Sequence, residues 1–208
     1  MEEIYRMYDE ELLYVFNAEH VKEGIPLAIV KDEVDIKEIN GYKVIHYSDD
    51  FESLVTIKLP TKNRKKAQMI SLHKSIEMIK KVAHGVLSFT YEGVPYSVGL
   101  NHVYMNNKLY FHGAKSGFKL NAVHCPVSYL IIDDLGINEE RATHNHESVM
   151  MQGTVKILED LEVKEKVLKQ LMVELAPSNH KDITEPMVKG VTIFEFDIQF
   201  LHGKSHIR

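Results

Sequence analysis

Between residues 86 and 113 three strand-forming segments follow one another, Val86–Tyr91, Pro95–Tyr104 and Lys108–Gly113. The breaks between them are tight and fall at Glu92-Gly93 and Asn106-Asn107. Residue pairs of this kind tolerate positive φ and suit two-residue hairpin turns. A parallel crossover needs a dozen or more residues, so these segments can pair only antiparallel. No strand–helix–strand alternation follows, which excludes a doubly wound nucleotide-binding fold.

Three more segments extend the pattern. Val127–Ile132 is an almost continuous apolar run, predicted as a strand buried on both faces. Asp133–Asn145 reads as a polar loop. Glu147–Leu158 is a long strand with Gly153 at a bulge or bend, and Val188–Leu201 is a final strand. Helical spacing is found at Ser71–Ala83, Ser116–Val123 and Glu162–Leu175. Gly85, Cys125-Pro126 and Ala176-Pro177 punctuate their ends. The expected architecture is mainly β with flanking helices (α+β), with six mostly antiparallel strands in a small closed or split barrel.

At 208 residues the chain exceeds this domain. The basic run Lys62-Asn63-Arg64-Lys65-Lys66 marks a boundary, giving an N-terminal α/β extension over 1–60 and a main domain over 61–208. The extension is expected to hold a helix from Glu2 to about Phe16. Strands are expected at Leu27–Val30, Val34–Ile36, Tyr42–Tyr47 and Ser53–Leu59, with a hairpin turn at Asn40-Gly41. Nothing in it looks catalytic; it reads as a small sheet padding the main domain or a partner chain.

Charge and cysteine usage narrow the classes. Twenty-five basic residues against 30 acidic give a net charge of −5, the wrong balance for a nucleic-acid-coating protein. The one cysteine, Cys125, cannot form an internal disulfide or a cysteine-based zinc site. The acidic start Met1-Glu2-Glu3 is no secretory signal, and no apolar run approaches the roughly 18 residues of a membrane span. A cytoplasmic protein with no membrane or nucleic-acid partner is expected.

The segment from Leu109 to Leu120, LYFHGAKSGFKL, carries the clearest chemistry. A strand enters a turn with two glycines and leaves as a short helix bearing Lys115 and Lys119. Glycines admit close backbone approach, a helix N-terminus offers free N–H donors, and two ammonium groups could clamp a phosphate. It is not a nucleoside-triphosphate loop, because only three residues separate Gly113 from Gly117 and Leu120 follows Lys119. An ordinary turn with solvated lysines is the alternative reading of the segment taken alone.

In context it is more specific. Tyr91–Tyr104 (YEGVPYSVGLNHVY), the segment Leu109–Leu120, Glu147–Gly153 (ESVMMQG) and Gly203-Lys204 occur in that order. Together they resemble the flavin-binding split-barrel proteins related to pyridoxamine 5′-phosphate oxidase, and among them the nitroimidazole-resistance (Nim) family. The resemblance covers about Asn63 to Ser205. It implies a six-stranded antiparallel split β-barrel of FMN-binding type, with FMN held between the two subunits of a homodimer. Carried over by position, the strand Ser97, Val98, Gly99, Leu100 and Asn101 would lie along the isoalloxazine. Phe111 and His112 would flank the ribityl phosphate, and Lys115 and Lys119 would neutralise it. Ser148 would reach the flavin from the partner subunit.

One departure bears on the substrate. Pyridoxamine phosphate oxidases surround flavin and substrate with arginines, and none of Arg6, Arg64, Arg141 and Arg208 falls in the matched motifs. The implied activity is therefore that of an FMN-dependent, nitroreductase-like oxidoreductase. It would take electrons from NAD(P)H and act on a small molecule such as a nitroaromatic. No acid–base residue is evident, and the catalytic residues are unknown. A haem-binding or haem-degrading split-barrel protein and a flavin-binding module without turnover are the alternatives. Among the twelve histidines, His144 and His146 could pair on a metal but lack a third ligand by spacing, so no metal is expected. His102 reads either as a structural strand residue or as a border of the substrate space.

Overall fold

A computed structural model of the chain describes residues 12–15, 27–31, 35–39, 41–46, 68–179 and 181–208. They belong to two compact units. One unites the described residues up to Met78 with Ile132–Gln152 and Gln199–Arg208; the other unites Ile79–Ile131 with Gly153–Ile198.

The main sheet is built from β4 (Met69–Ile70), β5 (His84–Tyr91), β6 (Val94–Met105), β7 (Lys108–Gly113), β8 (Val127–Asn138), β9 (Thr143–Leu158) and β10 (Thr192–His206). Their order is β4-β10-β7-β6-β5-β8-β9, and β10 also pairs with β9, so β5 to β10 form a ring of six strands. This is the expected split-barrel arrangement. Both tight turns form as expected. Glu92 and Gly93 take φ of 50° and 79°, Asn106 and Asn107 take 51° and 60°, and the flanking strands pair antiparallel.

Among the described residues three α-helices accompany the sheet: α1 (Leu72–Lys81), α2 (Leu161–Leu175) and α3 (Glu185–Gly190). Ser71 Oγ accepts from Lys74 N at 3.1 Å at the start of α1, and Asp160 Oδ1 caps α2 by accepting from Glu162 N and Val163 N. The apolar stripe of α2 seats Val167 and Leu171 on Val103, Tyr110 and Ile193 of the sheet. On the other side of the sheet Phe111 packs between Tyr129 and Phe196, with ring centroids 4.9 and 6.2 Å away. No helix among the described residues is long and apolar enough to cross a membrane.

Four expectations change. Val127–Ile132 is not buried on both faces: Val127, Tyr129 and Ile131 point inward, while Leu130 is 36% and Ile132 49% exposed. The strand also runs on to Asn138, and β9 begins at Thr143, so most of the expected polar loop is strand. Its polar residues occupy solvent-facing strand positions, which composition alone does not separate from a loop. The expected helix at Ser116–Val123 is a 3-10 helix over Phe118–His124. The last strand starts at Thr192, because Pro186 opens the short helix α3 immediately before it.

In the N-terminal region β1 (Leu12–Val15), β2 (Leu27–Val30) and β3 (Lys43–His46) form a separate sheet, antiparallel between β1 and β2 and parallel between β2 and β3. Residues 12–15 were expected to be helical; pairing with β2 overrides their helical spacing. The remainder of that expected helix, the strand expected at 53–59 and the basic run at 62–66 lie outside the described residues. Asp35 and Ile36 form no strand. The turn at Gly41 forms, with Tyr42 N donating to Ile39 O at 2.7 Å, but it does not join antiparallel strands of this sheet.

Candidate functional site

Strand β6 alternates cleanly along the predicted segment. Ser97, Gly99 and Asn101 are exposed, and Val98 and Leu100 are half-buried. The register with β5 sets Ser97 beside Ser88, Gly99 beside Val86 and Asn101 beside His84. The register of β5 with β8 then sets Ser88 beside Ser128 and Val86 beside Leu130. Two rows therefore cross three strands. One is hydroxylic, Ser97–Ser88–Ser128, with Ser88 Oγ and Ser97 Oγ 2.9 Å apart. The other is apolar, Gly99–Val86–Leu130, with Val86 40% exposed. Helix α2 covers this face at Val103, Tyr110 and Ile193 and leaves it open from Asn101 to Ser97.

Gly99 is informative for what does not require it. It shows no positive φ, and a Cβ built on it meets nothing within 4 Å. Neither backbone conformation nor internal packing calls for a glycine here. Close approach of a ligand or another backbone is one of the roles a glycine inside a strand serves.

From below, the strand is held rigidly. His102 is buried, with Nε2 3.0 Å from Ile79 O and Nδ1 3.0 Å from Tyr129 Oη. The Tyr129 hydroxyl donates to Leu100 O at 2.7 Å. Burial pushes the His102 imidazolium below the usual histidine range, partly offset by the bond to Ile79, and burial pushes the Tyr129 phenol up. His102 is thus an inward, structural residue and borders no ligand space on the outer face.

At the end of β7, His112 is exposed on the same side of the strand as Tyr110 and lies one step past the paired residues His102 and Phe111. Phe111 has no exposed surface, so its side chain is core and only its backbone is available near a ligand. Lys119 is half-buried and folds back over the strand end; a Cβ at Gly113 would sit 2.5 Å from its Cε and 3.2 Å from its Nζ. Gly113 is the residue that lets the Lys119 stem pass. Gly117, at φ 113°, takes a conformation that side chains disfavour. Lys115 is exposed and precedes the 3-10 helix, so it does not share a helical face with Lys119, and a seven-residue 3-10 helix gives no substantial dipole. What remains of the expected anion site is a glycine turn with two lysines of different burial.

Ser148 lies on β9, half-buried between the buried residues Glu147 and Val149. Elsewhere His144 Nε2 meets Asp134 Oδ1 at 2.7 Å, and the described residues hold no group of three metal-ligating side chains. The sequence reading missed Ser88, Val86, Ser128 and Leu130. The first two were within reach: the turn at Glu92-Gly93 fixes the register that places Ser88 opposite Ser97. Nothing local announces how β5 pairs with β8.

The family model for pyridoxamine 5′-phosphate oxidase matches residues 72–205. No curated protein matches the chain in sequence. Among solved structures, the flavocytochrome Anf3 of Azotobacter vinelandii aligns over 71% of this chain and 73% of its own, at 15% identity and a TM-score of 0.62. The FAD- and haem-binding protein of Mycobacterium smegmatis aligns over 66% and 72%, at 13% identity and 0.58. A proposed 5-nitroimidazole antibiotic resistance protein of Bacteroides thetaiotaomicron aligns over 65% and 84%, at 24% identity and 0.57. At these identities the likeness is one of fold.

Proposed function

The chain belongs to the pyridoxamine 5′-phosphate oxidase family, and on that premise we propose that it is an FMN-dependent oxidoreductase of nitroreductase type. The flavin ring lies over Gly99 on the outer face of β5 and β6, and the ribityl phosphate is neutralised by Lys119 and Lys115. The observation that carries this reading is the unexplained glycine. Gly99 leaves a flat pad in the middle of a rigid strand, and a planar ring system is the kind of ligand such a pad accepts.

FMN, when bound, supplies the hydride and electron chemistry between NAD(P)H and a small acceptor, a nitroaromatic being the substrate class the Nim resemblance suggests. The chain's own residues bind, orient and exclude water. His102 and Tyr129 keep β6 from shifting beneath the ring, Val86 and Leu130 extend the apolar pad, and the lysines supply the charge that the phosphate needs. None of the residues of β5, β6, β7 and β8 is an arginine, in keeping with an acceptor other than pyridoxamine 5′-phosphate.

A homodimer fits the same surface. Val86 and Leu130 are large apolar residues left open on a face that a second copy would cover, together with the flavin. The test is an FMN titration of the wild type and of Gly99→Val, followed by flavin absorbance and protein melting. Wild-type binding that is lost in a normally folded Gly99→Val supports the reading. No flavin binding by the wild type, or a Soret band on adding haem in its place, overturns it.

A further inference from the structure

We infer that Ser88 and Ser128 are flavin-binding residues, and that the hydroxyl row Ser97–Ser88–Ser128 holds the polar pyrimidine edge of the ring. The inference rests on the flavin reading and adds to it two residues that no motif marks. The row crosses three hydrogen-bonded strands, with Ser88 paired in register to Ser97 on one side and Ser128 on the other. Neighbouring strands lie about 4.8 Å apart, so the row extends across roughly 10 Å. It runs alongside the apolar row Gly99–Val86–Leu130, two residues further along each strand. A ligand with one flat apolar body and one polar edge matches the two rows together.

The chemistry of the row selects the edge. Ser88 and Ser97 are 2.9 Å apart, so one hydroxyl donates to the other. The receiving hydroxyl keeps its proton free to donate outward, and both oxygens keep lone pairs. The row therefore presents donors and acceptors in alternation, with no cation in it. An edge of alternating carbonyl and N–H groups satisfies that pattern. A phosphate or carboxylate, which only accepts, would set negative charge against the lone pairs with no ammonium or guanidinium to offset it.

The experiment compares FMN binding to the wild type, Ser88→Ala/Ser128→Ala and Ser88→Thr/Ser128→Thr, by flavin fluorescence and by the position of the visible absorbance bands. The alanine pair is expected to bind FMN about tenfold more weakly, with shifted bands and unchanged melting, because two hydrogen bonds to the ring are gone. The threonine pair keeps the hydroxyls and is expected to retain wild-type bands. If the wild type binds FMN and the alanine pair matches it in affinity and spectrum, the serine assignment is overturned while the flavin reading stands. If the wild type binds no flavin, both fall.

Discussion

Gly153 on β9 runs directly against the carbonyl of Asp197 on β10: a methyl group built on Gly153 would overlap that oxygen and touch the Phe196 ring. This contact lies where the ring of strands joins its last two members. The obstacle is backbone, which cannot rotate out of the way. Gly153→Ala is therefore expected to cost about 3 kcal/mol or more, at the upper end of overpacking effects. Chemical denaturation would show it as a lower midpoint. A wild-type midpoint would mean that the two strands can separate without loss.

Gly99→Ala is the contrasting substitution. Space is open around the new Cβ and the backbone has no positive φ, so stability is expected within about 0.5 kcal/mol of wild type, as for surface changes generally. FMN affinity is expected to fall at least tenfold. The two alanines separate a glycine required by the fold from one required by a ligand. A loss of stability at Gly99 with unchanged FMN affinity would reverse that assignment.

Glu195 is the most engaged carboxylate in its unit. It is buried on β10 and receives Lys108 Nζ at 2.6 Å, Lys156 Nζ at 2.9 Å and the Tyr110 hydroxyl at 3.2 Å. Burial opposes its charge, and the two lysines outweigh burial, so its carboxyl stays below the usual range. Burial, with Glu195 adding to it, pushes the Tyr110 phenol up to about 12. Glu195→Ala leaves the partly buried Lys108 ammonium and a buried hydroxyl without their partner, while the exposed Lys156 turns to water, and is expected to cost about 1–3 kcal/mol. The same variant should bring the Tyr110 phenol down, visible in an ultraviolet pH titration; a wild-type titration would show that the carboxylate does not act on it.

The strands of the ring were legible because they read as alternating or continuous apolar runs and two of the turns are unmistakable. The register of β5 on β6 was legible for the same reason, since a two-residue turn at Glu92-Gly93 leaves no freedom. The β5–β8 register was not, because it is set by packing between segments some forty residues apart in the chain; Leu130 consequently read as core. Lys119 was recognised by its residue type, whereas its fold-back over Gly113 is a tertiary fact. The turn was legible and the helix after it was over-read, because spacing over eight residues does not distinguish α from 3-10.

Acid sensitivity should track His202. Burial, with Lys204 adding to it, lowers its pKa from 6.5 to about 4. The folded protein thus holds His202 neutral where the unfolded chain protonates it. Stability from this residue is full above pH 6.5 and is lost as pH falls from 6.5 towards 4, a window worth about 3 kcal/mol at most. Glu195, also held below its ordinary range, loses its contribution only as pH falls below the carboxylate range near 4.5. Melting temperature should therefore begin to drop below pH 6.5, before carboxylates titrate. His202→Gln should shrink that first decline, leaving the share of His102, whose charged form burial also disfavours, and keep the second; a variant that melts in parallel with wild type from pH 7 to 5 would place the effect elsewhere.

Lys119 and Lys115 should contribute unequally to flavin binding. Lys119 is half-buried with its stem fixed over Gly113, so its ammonium is already placed and little side-chain entropy is lost when a phosphate arrives. Lys115 is exposed and must be ordered on binding, and water screens its charge. Lys119→Ala is expected to weaken FMN by ten- to hundredfold and Lys115→Ala by less than about fivefold, in line with a charge-assisted hydrogen bond against a solvated one. Riboflavin, which lacks the phosphate, should bind wild type and both variants alike. Raising ionic strength should weaken FMN binding to the wild type more than to Lys119→Ala. Equal losses for FMN and riboflavin in Lys119→Ala would assign that lysine to the fold of the turn rather than to the phosphate.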